Sequence, residues 1–218
     1  MQTATPVPHK APRPRADALR NRERIVAAAR EMFVEHGAEV PLDEVARRAG
    51  VGNATVYRNF PDRDALVREV VCSVVDRMVR AAEQALAESG NGFEALERFA
   101  HTAVDERISA LCPMVSSTFD RNHPDLVAAW ERVERLVAEI MDRAKAAGRL
   151  RDDVELGDVM IGLAQLSRPP AGTECLRVDR FVHRHLQLFL DGMRAPAPSV
   201  LPGSAATLEA LRTSGTTC

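Results

Sequence analysis

The stretch that decides the fold is LDEVARRAGVGNATVYRNF, residues 42–60. Counted from Leu42, its apolar residues at the fourth, eighth, tenth and fifteenth positions are Val45, Ala49, Val51 and Val56. The fifth position is Ala46 and the ninth is Gly50. Two crossing helices need a small residue where they meet, and a tight turn needs the backbone conformation that glycine adopts cheaply. The pattern therefore predicts a helix-turn-helix.

The second helix of this pair, 53–59, presents mostly polar side chains. The eighteenth position, which this motif usually fills with an apolar residue, is Asn59, and we expect Phe60 to supply the missing anchor. A polar helix of this kind can enter the major groove, read base edges and contact phosphates. The alternative is an ordinary helical hairpin whose exposed polar residues have no function, and the pattern by itself leaves both open.

The composition predicts an all-α protein. Of 218 residues, 45% are hydrophobic, 28% charged and 4% aromatic, and good helix formers dominate while alternating β-branched runs are scarce. Helical periodicity, broken at glycines and prolines, indicates about nine helices. We divide the chain into a flexible basic arm (1–18), a helix-turn-helix domain (19–65), a larger helical domain (66–194) and a disordered tail (195–218). A long helix over 62–89, with Asp62 as its N-cap, bridges the two domains.

The charge distribution suggests a polyanionic partner. Residues 1–70 hold twelve Lys/Arg against ten Asp/Glu, a net charge of +2, which leaves −4 for the rest of a chain whose total is −2. The excess of bases is concentrated in 10–24, at Lys10, Arg13, Arg15, Arg20, Arg22 and Arg24. Such an arm marks either a nucleic-acid footprint or a solvated, disordered tail.

Several other classes of protein are disfavoured. The four cysteines (Cys72, Cys112, Cys175 and Cys218) are far apart, which argues against a zinc site or a disulfide framework and favours a reducing cytoplasm. No apolar run approaches the roughly 20 residues that span a bilayer, and the N-terminus lacks a signal-peptide core. No phosphate loop, nucleophile elbow or metalloprotease motif is found. We therefore expect a cytoplasmic protein that is not an enzyme and uses no cofactor, metal or membrane.

The run from Ile25 through Phe33 and Gly37, followed by VARRAGVGNATVYRNFPDRDALV, resembles the N-terminal domain of tetracycline-repressor (TetR) family transcription regulators over about residues 20–68. The resemblance implies an all-helical homodimer with an N-terminal DNA-binding domain and a C-terminal domain for ligand binding and dimerisation. The expected function is a ligand-responsive repressor at a palindromic operator, with double-stranded DNA, a second copy and an unknown small-molecule effector as partners. An activator, or a DNA-bound adaptor that acts through a protein partner, is the alternative.

The resemblance also assigns roles to residues of the first domain. Thr55 and Tyr57 match positions that grip the DNA backbone, and Arg63 stands where the family usually has a phosphate-binding lysine. Gly52 and Asn53 replace the usual serine and lysine, which removes a hydroxyl cap and a charge. The predicted DNA contacts are Asn53, Ala54, Thr55, Tyr57, Arg58, Asn59, Arg63 and Arg22.

By the same resemblance, helices at 156–167 and 174–193 pair with their copies across a two-fold axis. The candidate dimer contacts are Leu163, Leu166, Val178, Phe181, Val182, Leu186 and Phe189, unless these residues merely close the core of one chain. A ligand cavity is expected among the helices of 93–160, with Phe99, Met114, Phe119, His123, Trp130, Met141 and Met160 as candidate lining. The alternative is that these side chains are simply core, with His123 a helix-end feature.

Overall fold

The computed structural model describes residues 14–36, 40–106, 123–167 and 178–214. Within these ranges the chain is helical without strands, which confirms the all-α prediction, and it contains one isolated β-bridge, between Leu150 and Arg194. None of the helices in these ranges is apolar over a length that would cross a lipid bilayer. The described elements are α1 (Pro14–His36), α2 (Leu42–Ala49), α3 (Asn53–Asn59), α4 (Arg63–Glu88), α5 (Gly92–Asp105), α6 (Pro124–Ala146), α7 (Leu156–Leu166), a 3-10 turn (Val178–Phe181), α8 (Val182–Met193) and α9 (Leu208–Ser214).

The chain divides into two compact units, Met1–Val70 and Val71–Cys218. The division falls inside α4, slightly later than the boundary predicted after residue 65. The first turn of α4 belongs to the N-terminal unit, and its start is capped as expected, since the Asp62 carboxylate accepts a hydrogen bond from the Ala65 N–H at 2.7 Å.

The core of the N-terminal unit joins α1 to the helix pair α2–α3. The apolar stripe of α1 is fully buried at Ile25 and Ala29, and Val56 of α3 is likewise inaccessible. Phe60, which follows α3, is 1% exposed. It therefore anchors the helix pair as predicted, in place of an apolar residue at position 59. Together these contacts leave α3 with one buried face and one solvent face.

Helix α1 begins earlier than predicted, so the flexible arm predicted over residues 1–18 extends too far along the chain. The helix begins at Pro14, so residues 14–18 are helical and not part of a flexible segment, whereas 1–13 lie outside the described residues. Proline suits a first helical turn because its fixed φ is helical and its missing N–H would have no intrahelical partner. Asp17 lies in the same turn, where a carboxylate complements the positive end of the helix dipole.

The C-terminal unit is built around the packed pair α5 and α6. The two helices approach closely at Gly92, where an added Cβ would lie 2.2 Å from the backbone nitrogen of Ala144. Phe93 on α5 and Val137 and Ile140 on α6 are almost fully buried. Helices α7 and α8 pack on α5 and on each other. This bundle places α7 and α8 where part of their surface faces solvent.

The C-terminal tail is another correction, because residues 195–214 are placed by specific contacts. The buried Arg151 side chain donates to the Ser199 carbonyl at 2.8 Å, and the Ala206 N–H donates to the Asp158 carboxylate at 3.0 Å. The proline-rich segment has no apolar periodicity of its own, so composition predicted disorder, yet polar anchors in and before α7 hold it. Residues 215–218 lie outside the described residues.

Candidate nucleic-acid interface

The turn between α2 and α3 has the geometry that the glycine predicts. Gly50 adopts φ 64° and ψ 40°, the left-handed region. The Val51 N–H donates to the Ala46 carbonyl at 3.0 Å, and the Gly50 N–H donates to the Arg47 carbonyl at 3.2 Å. These two bonds are the Schellman arrangement that ends a helix at a left-handed residue. They fix the direction in which the chain leaves α2, and therefore the direction of α3.

A side chain from α1 closes over this turn. The Arg24 guanidinium donates to the Gly50 carbonyl at 3.2 Å, and an added Cβ on Gly50 would meet its Nη2 at 2.6 Å. Glycine is favoured at this position by its φ, and a side chain here would displace the Arg24 guanidinium from the turn. Sequence reasoning read Arg24 as part of a basic arm, and nothing in the local pattern signals that it caps the turn.

Helix α3 divides into a buried and an exposed face. Val56 points into the core, whereas Asn53, Ala54 and Tyr57 are exposed and Thr55 is partly exposed. Tyr57 has 52% of its surface accessible, which is unusual for so large an aromatic side chain. Gly52, the N-cap residue of α3, provides no side-chain cap, as the sequence predicted. The exposed face is therefore a short row of polar and aromatic groups.

The last residues of α3 bond back to their own helix. The Arg58 guanidinium donates to the Ala54 carbonyl at 3.0 Å and to the Thr55 hydroxyl at 3.2 Å. The Asn59 amide donates to the Thr55 carbonyl at 2.7 Å and is partly buried. Arg58 remains exposed, so its charge stays at the surface beside Tyr57, whereas Asn59 is directed along the helix.

Two predicted DNA contacts lie off α3. Arg63 is in the first turn of α4 and is partly exposed. Arg22 is on α1, and its guanidinium bonds to Glu69 of α4 and to the Asn59 carbonyl. The structure thus brings Asn53, Ala54, Thr55, Tyr57 and Arg58 together on one helix and gives Arg22 partners inside the domain.

The residues predicted to line a ligand cavity are not a single group. Phe99 and Met141 are 1% and 3% exposed, because they fill the core between packed helices. Trp130 and Met160 are partly buried. His123 is the N-cap residue of α6, which agrees with the alternative that it is a helix-end feature. Met114 and Phe119 lie outside the described residues.

Two cavities of the C-terminal unit have different linings. A polar cleft of about 730 Å³ is lined from α4, α5 and α8, and its described lining contains none of Phe99, His123, Trp130, Met141 and Met160. Its charged and polar lining includes Arg77, Arg80, Glu88, Glu97, Arg98 and His101. An apolar groove of about 490 Å³ lies on α7 and α8, with Ile161, Gly162, Leu188, Phe189 and Leu201 among its lining.

The predicted dimer contacts need a correction. Leu163 and Leu186 are 3% and 0% exposed within one chain, so they offer a partner almost no surface and belong to the core. Phe181 is 41% exposed, and Leu166, Val182 and Phe189 are partly exposed. The structure does not describe the side chain of Val178. Leu188, which sequence reasoning missed, is 60% exposed beside Phe189.

Comparison with known proteins connects both units to one family. Residues 25–70 match the family model for bacterial regulatory proteins of the tetR family, and 91–195 match a C-terminal domain described as transcriptional regulator SbtR-like. A TetR transcriptional regulator from Streptomyces coelicolor is 32% identical, with 81% of this chain and 99% of that chain covered and a TM-score of 0.61. A TetR regulatory protein from Mycobacterium vanbaalenii is 33% identical over 83% and 99%, with a TM-score of 0.62.

Among curated relatives, the HTH-type transcriptional repressor LfrR of Mycolicibacterium smegmatis is 30% identical over 129 residues. That alignment covers 57% of this chain, and the chain spans 65% of the length of that relative. The structure of LfrR in complex with proflavine has a TM-score of 0.62 at 24% identity, covering 85% of this chain and 99% of that chain.

A glycine turn of fixed geometry that carries an exposed second helix forms a helix-turn-helix. The family match and the named relatives identify this motif as that of a DNA-binding regulator of transcription, not an enzyme. The chain belongs to the tetR family of bacterial regulatory proteins. Regulators of this family bind DNA and are generally dimeric with effector ligands.

Proposed function

We propose that the chain is a ligand-responsive repressor that binds a palindromic operator as a homodimer. The observation that carries the proposal is the exposed face of α3, with Tyr57 at 52% exposure on a helix whose opposite face is locked into the core. A half-exposed tyrosine at this position can present its ring and hydroxyl to a DNA backbone. The relative that is named a transcriptional repressor supports the direction of regulation.

In this proposal α3 enters the major groove. Asn53 and Ala54, at its N-terminal end, face base edges and set the sequence preference, while Thr55, Tyr57 and Arg58 grip the phosphate backbone. Two copies of α3 in a symmetric dimer require half-sites about one helical turn apart, roughly 34 Å, or a multiple of that distance.

The dimer surface that we propose is the exposed part of α7, of α8 and of the 3-10 turn that ends at Phe181. Phe181, Leu188 and Phe189 give this face large apolar side chains, and the groove beside them has an apolar lining. Burial of such surface is the main driving force of stable association. The burial of Leu163 and Leu186 removes them from this surface, and Phe181, Leu188 and Phe189 remain exposed or partly exposed for association.

We place the effector in the C-terminal unit. Proflavine bound to LfrR supports a small-molecule effector for this chain. The cleft of about 730 Å³ carries guanidinium and carboxylate groups together, which favours a polar effector over a purely apolar one. The effector regulates only if it prefers one conformation of the protein, and effector and operator then weaken each other's binding by the same factor.

The decisive experiment selects bound duplexes from a randomised pool with the purified wild-type protein. A palindromic motif supports the repressor, whereas diffuse enrichment without a motif favours an adaptor that acts through a protein partner. The selected duplex and a scrambled duplex of the same composition then serve as specific and non-specific probes.

Tyr57→Ala tests the role of α3 directly. We expect it to weaken binding to both duplexes by roughly fivefold to twentyfold, because a backbone hydrogen bond and its packing are lost. Asn53→Ala is expected instead to change which sequence is selected. Leu19→Ala removes an exposed apolar side chain from α1 and is the matched control, expected to leave both affinities unchanged. Wild-type affinity of Tyr57→Ala for both duplexes would contradict the assignment.

A further inference from the structure

The side chain of Arg22 connects three helices of the N-terminal unit. Its Nε and Nη2 donate to the two carboxylate oxygens of Glu69 on α4, at 3.2 and 2.8 Å. Its Nη1 donates to the carbonyl of Asn59, the last residue of α3, at 3.1 Å. The guanidinium carbon also lies 4.5 Å from the centroid of the Phe60 ring. A single planar group therefore bonds α1 to α3 and α4 at once.

The end of α3 needs such a partner. A helix leaves its last carbonyls without intrahelical bonds and carries partial negative charge there, so a guanidinium is well suited to that end. With seven residues, α3 is too short to be stable alone, and its orientation depends on what holds it. Val56 and Phe60 hold its buried face by apolar contact, and Arg22 holds its C-terminal carbonyl by a polar one.

The same bonds make Arg22 a poor phosphate contact. A Lys or Arg that neutralises a phosphate adds about 0.9 to the salt dependence of binding, because it releases condensed counterions. The charge of Arg22 is already compensated by Glu69 in a two-bond, fork-like arrangement. All three guanidinium nitrogens already donate hydrogen bonds inside the domain, so a phosphate would have to compete with the Glu69 carboxylate and the Asn59 carbonyl.

We propose that Arg22 and Glu69 are positioning residues for operator recognition, which orient α3 through the Asn59 carbonyl instead of touching DNA themselves. The proposal rests on the operator binding proposed above. It has an unusual consequence for Glu69: removal of this negative charge should by simple electrostatics tighten DNA binding, whereas loss of a positioning contact weakens recognition of the specific sequence.

The test compares Glu69→Gln with Glu23→Gln, a matched charge removal at an exposed position on α1. The probes are the duplex selected by the wild-type protein and its scrambled counterpart. We expect Glu69→Gln to weaken specific binding by roughly fivefold to twentyfold while binding to the scrambled duplex is unchanged or tighter. Glu23→Gln should leave both affinities unchanged or slightly tighter. Tighter specific binding by Glu69→Gln overturns the proposal.

Arg22 is tested by salt dependence and by a conservative variant. We expect Arg22→Lys to lose most of the specific affinity, because one ammonium cannot reproduce the fork to Glu69 and the bond to Asn59 together. We expect Arg22→Ala to weaken specific binding with an unchanged slope of log affinity against log salt. Arg143→Ala, which removes the same charge from an exposed, carboxylate-paired site on α6, is the matched control and should leave specific affinity and slope unchanged.

Either of two results overturns the positioning role of Arg22: full specific affinity in Arg22→Lys, or a slope reduced by about one in Arg22→Ala, the value for a lost phosphate contact. Hydrogen exchange at α2 and α3 checks that each variant is folded. If Arg22→Ala is unfolded, Glu69→Gln, which keeps the size of the side chain, decides the matter alone. A wild-type protein that selects no motif overturns operator binding and this inference together, whereas a wild-type motif with wild-type affinity in Glu69→Gln overturns only the latter.

Discussion

Replacing Gly50 by alanine tests whether the turn geometry sets the stability of the helix pair. At φ 64° an alanine is strained by roughly 1–2 kcal/mol, because its Cβ approaches the following carbonyl oxygen. Its Cβ would also stand 2.6 Å from the Arg24 Nη2 and displace that guanidinium from the Gly50 carbonyl. Loss of one exposed hydrogen bond adds about 0.5–1 kcal/mol. The expected destabilisation is therefore about 2 kcal/mol or slightly more.

The chain contains a matched control in Gly148, after α6. Its φ is 63°, and the Arg149 N–H donates to the Ala144 carbonyl at 2.9 Å in the same Schellman arrangement. An added Cβ there has no atom within 4 Å. Gly148→Ala should thus show the backbone strain alone, about 1–2 kcal/mol.

Amide hydrogen exchange measures both effects locally. The reporters are the Val51 and Arg149 amides, each donating across its own turn. Since 1.4 kcal/mol corresponds to a factor of ten, we expect exchange about thirtyfold faster at Val51 in Gly50→Ala and about tenfold faster at Arg149 in Gly148→Ala. Equal effects would show that the Arg24 contact contributes nothing, and wild-type rates in both variants would refute the strain argument altogether.

Two further predictions concern the C-terminal unit. The bidentate hydrogen bond from Arg151 lowers the pKa of Asp153 from 3.8 to about 2. The ionised Asp153 carboxylate therefore stabilises the fold above about pH 4, and this stabilisation is lost as pH falls towards 2. Asp153→Asn should flatten that part of an acid-unfolding curve, whereas Asp152→Asn, at its exposed neighbour, should leave the curve unchanged. Gly92→Ala places a Cβ 2.2 Å from the backbone of Ala144, and calorimetry should show a destabilisation of about 2–3 kcal/mol. Gly192→Ala, where a Cβ meets no atom within 4 Å, should be neutral or stabilising.

Local signals in the sequence predicted the helix-turn-helix well. Gly50 in the left-handed turn and Asp62 as the cap of α4 follow from contacts within a few residues, and Phe60 as a buried anchor follows from the spacing of apolar residues along the pair. Such interactions depend on backbone conformation and short-range spacing, which a single sequence displays directly.

Predictions that depended on distant partners did less well. The tail after residue 194 was expected to be disordered, yet Arg151 bonds to Ser199, which is 48 positions away. Leu163 and Leu186 were expected at a dimer surface, yet each is buried inside one chain. An apolar periodicity indicates that a helix buries one face, but it does not say whether the covering surface belongs to the same chain.

Arg22 on α1 shows most clearly how the information in the sequence differs from that in the tertiary structure. By itself the sequence determined that this chain is helical, that a glycine turn joins two short helices, and that α3 carries an exposed polar face. The tertiary structure decided that Arg22 is bonded to Glu69, 47 positions later, and to the end of α3. A guanidinium is equally suited to a phosphate and to a carboxylate, so its chemistry alone cannot choose between them. The choice depends on which acceptor the folded chain brings within hydrogen-bonding distance.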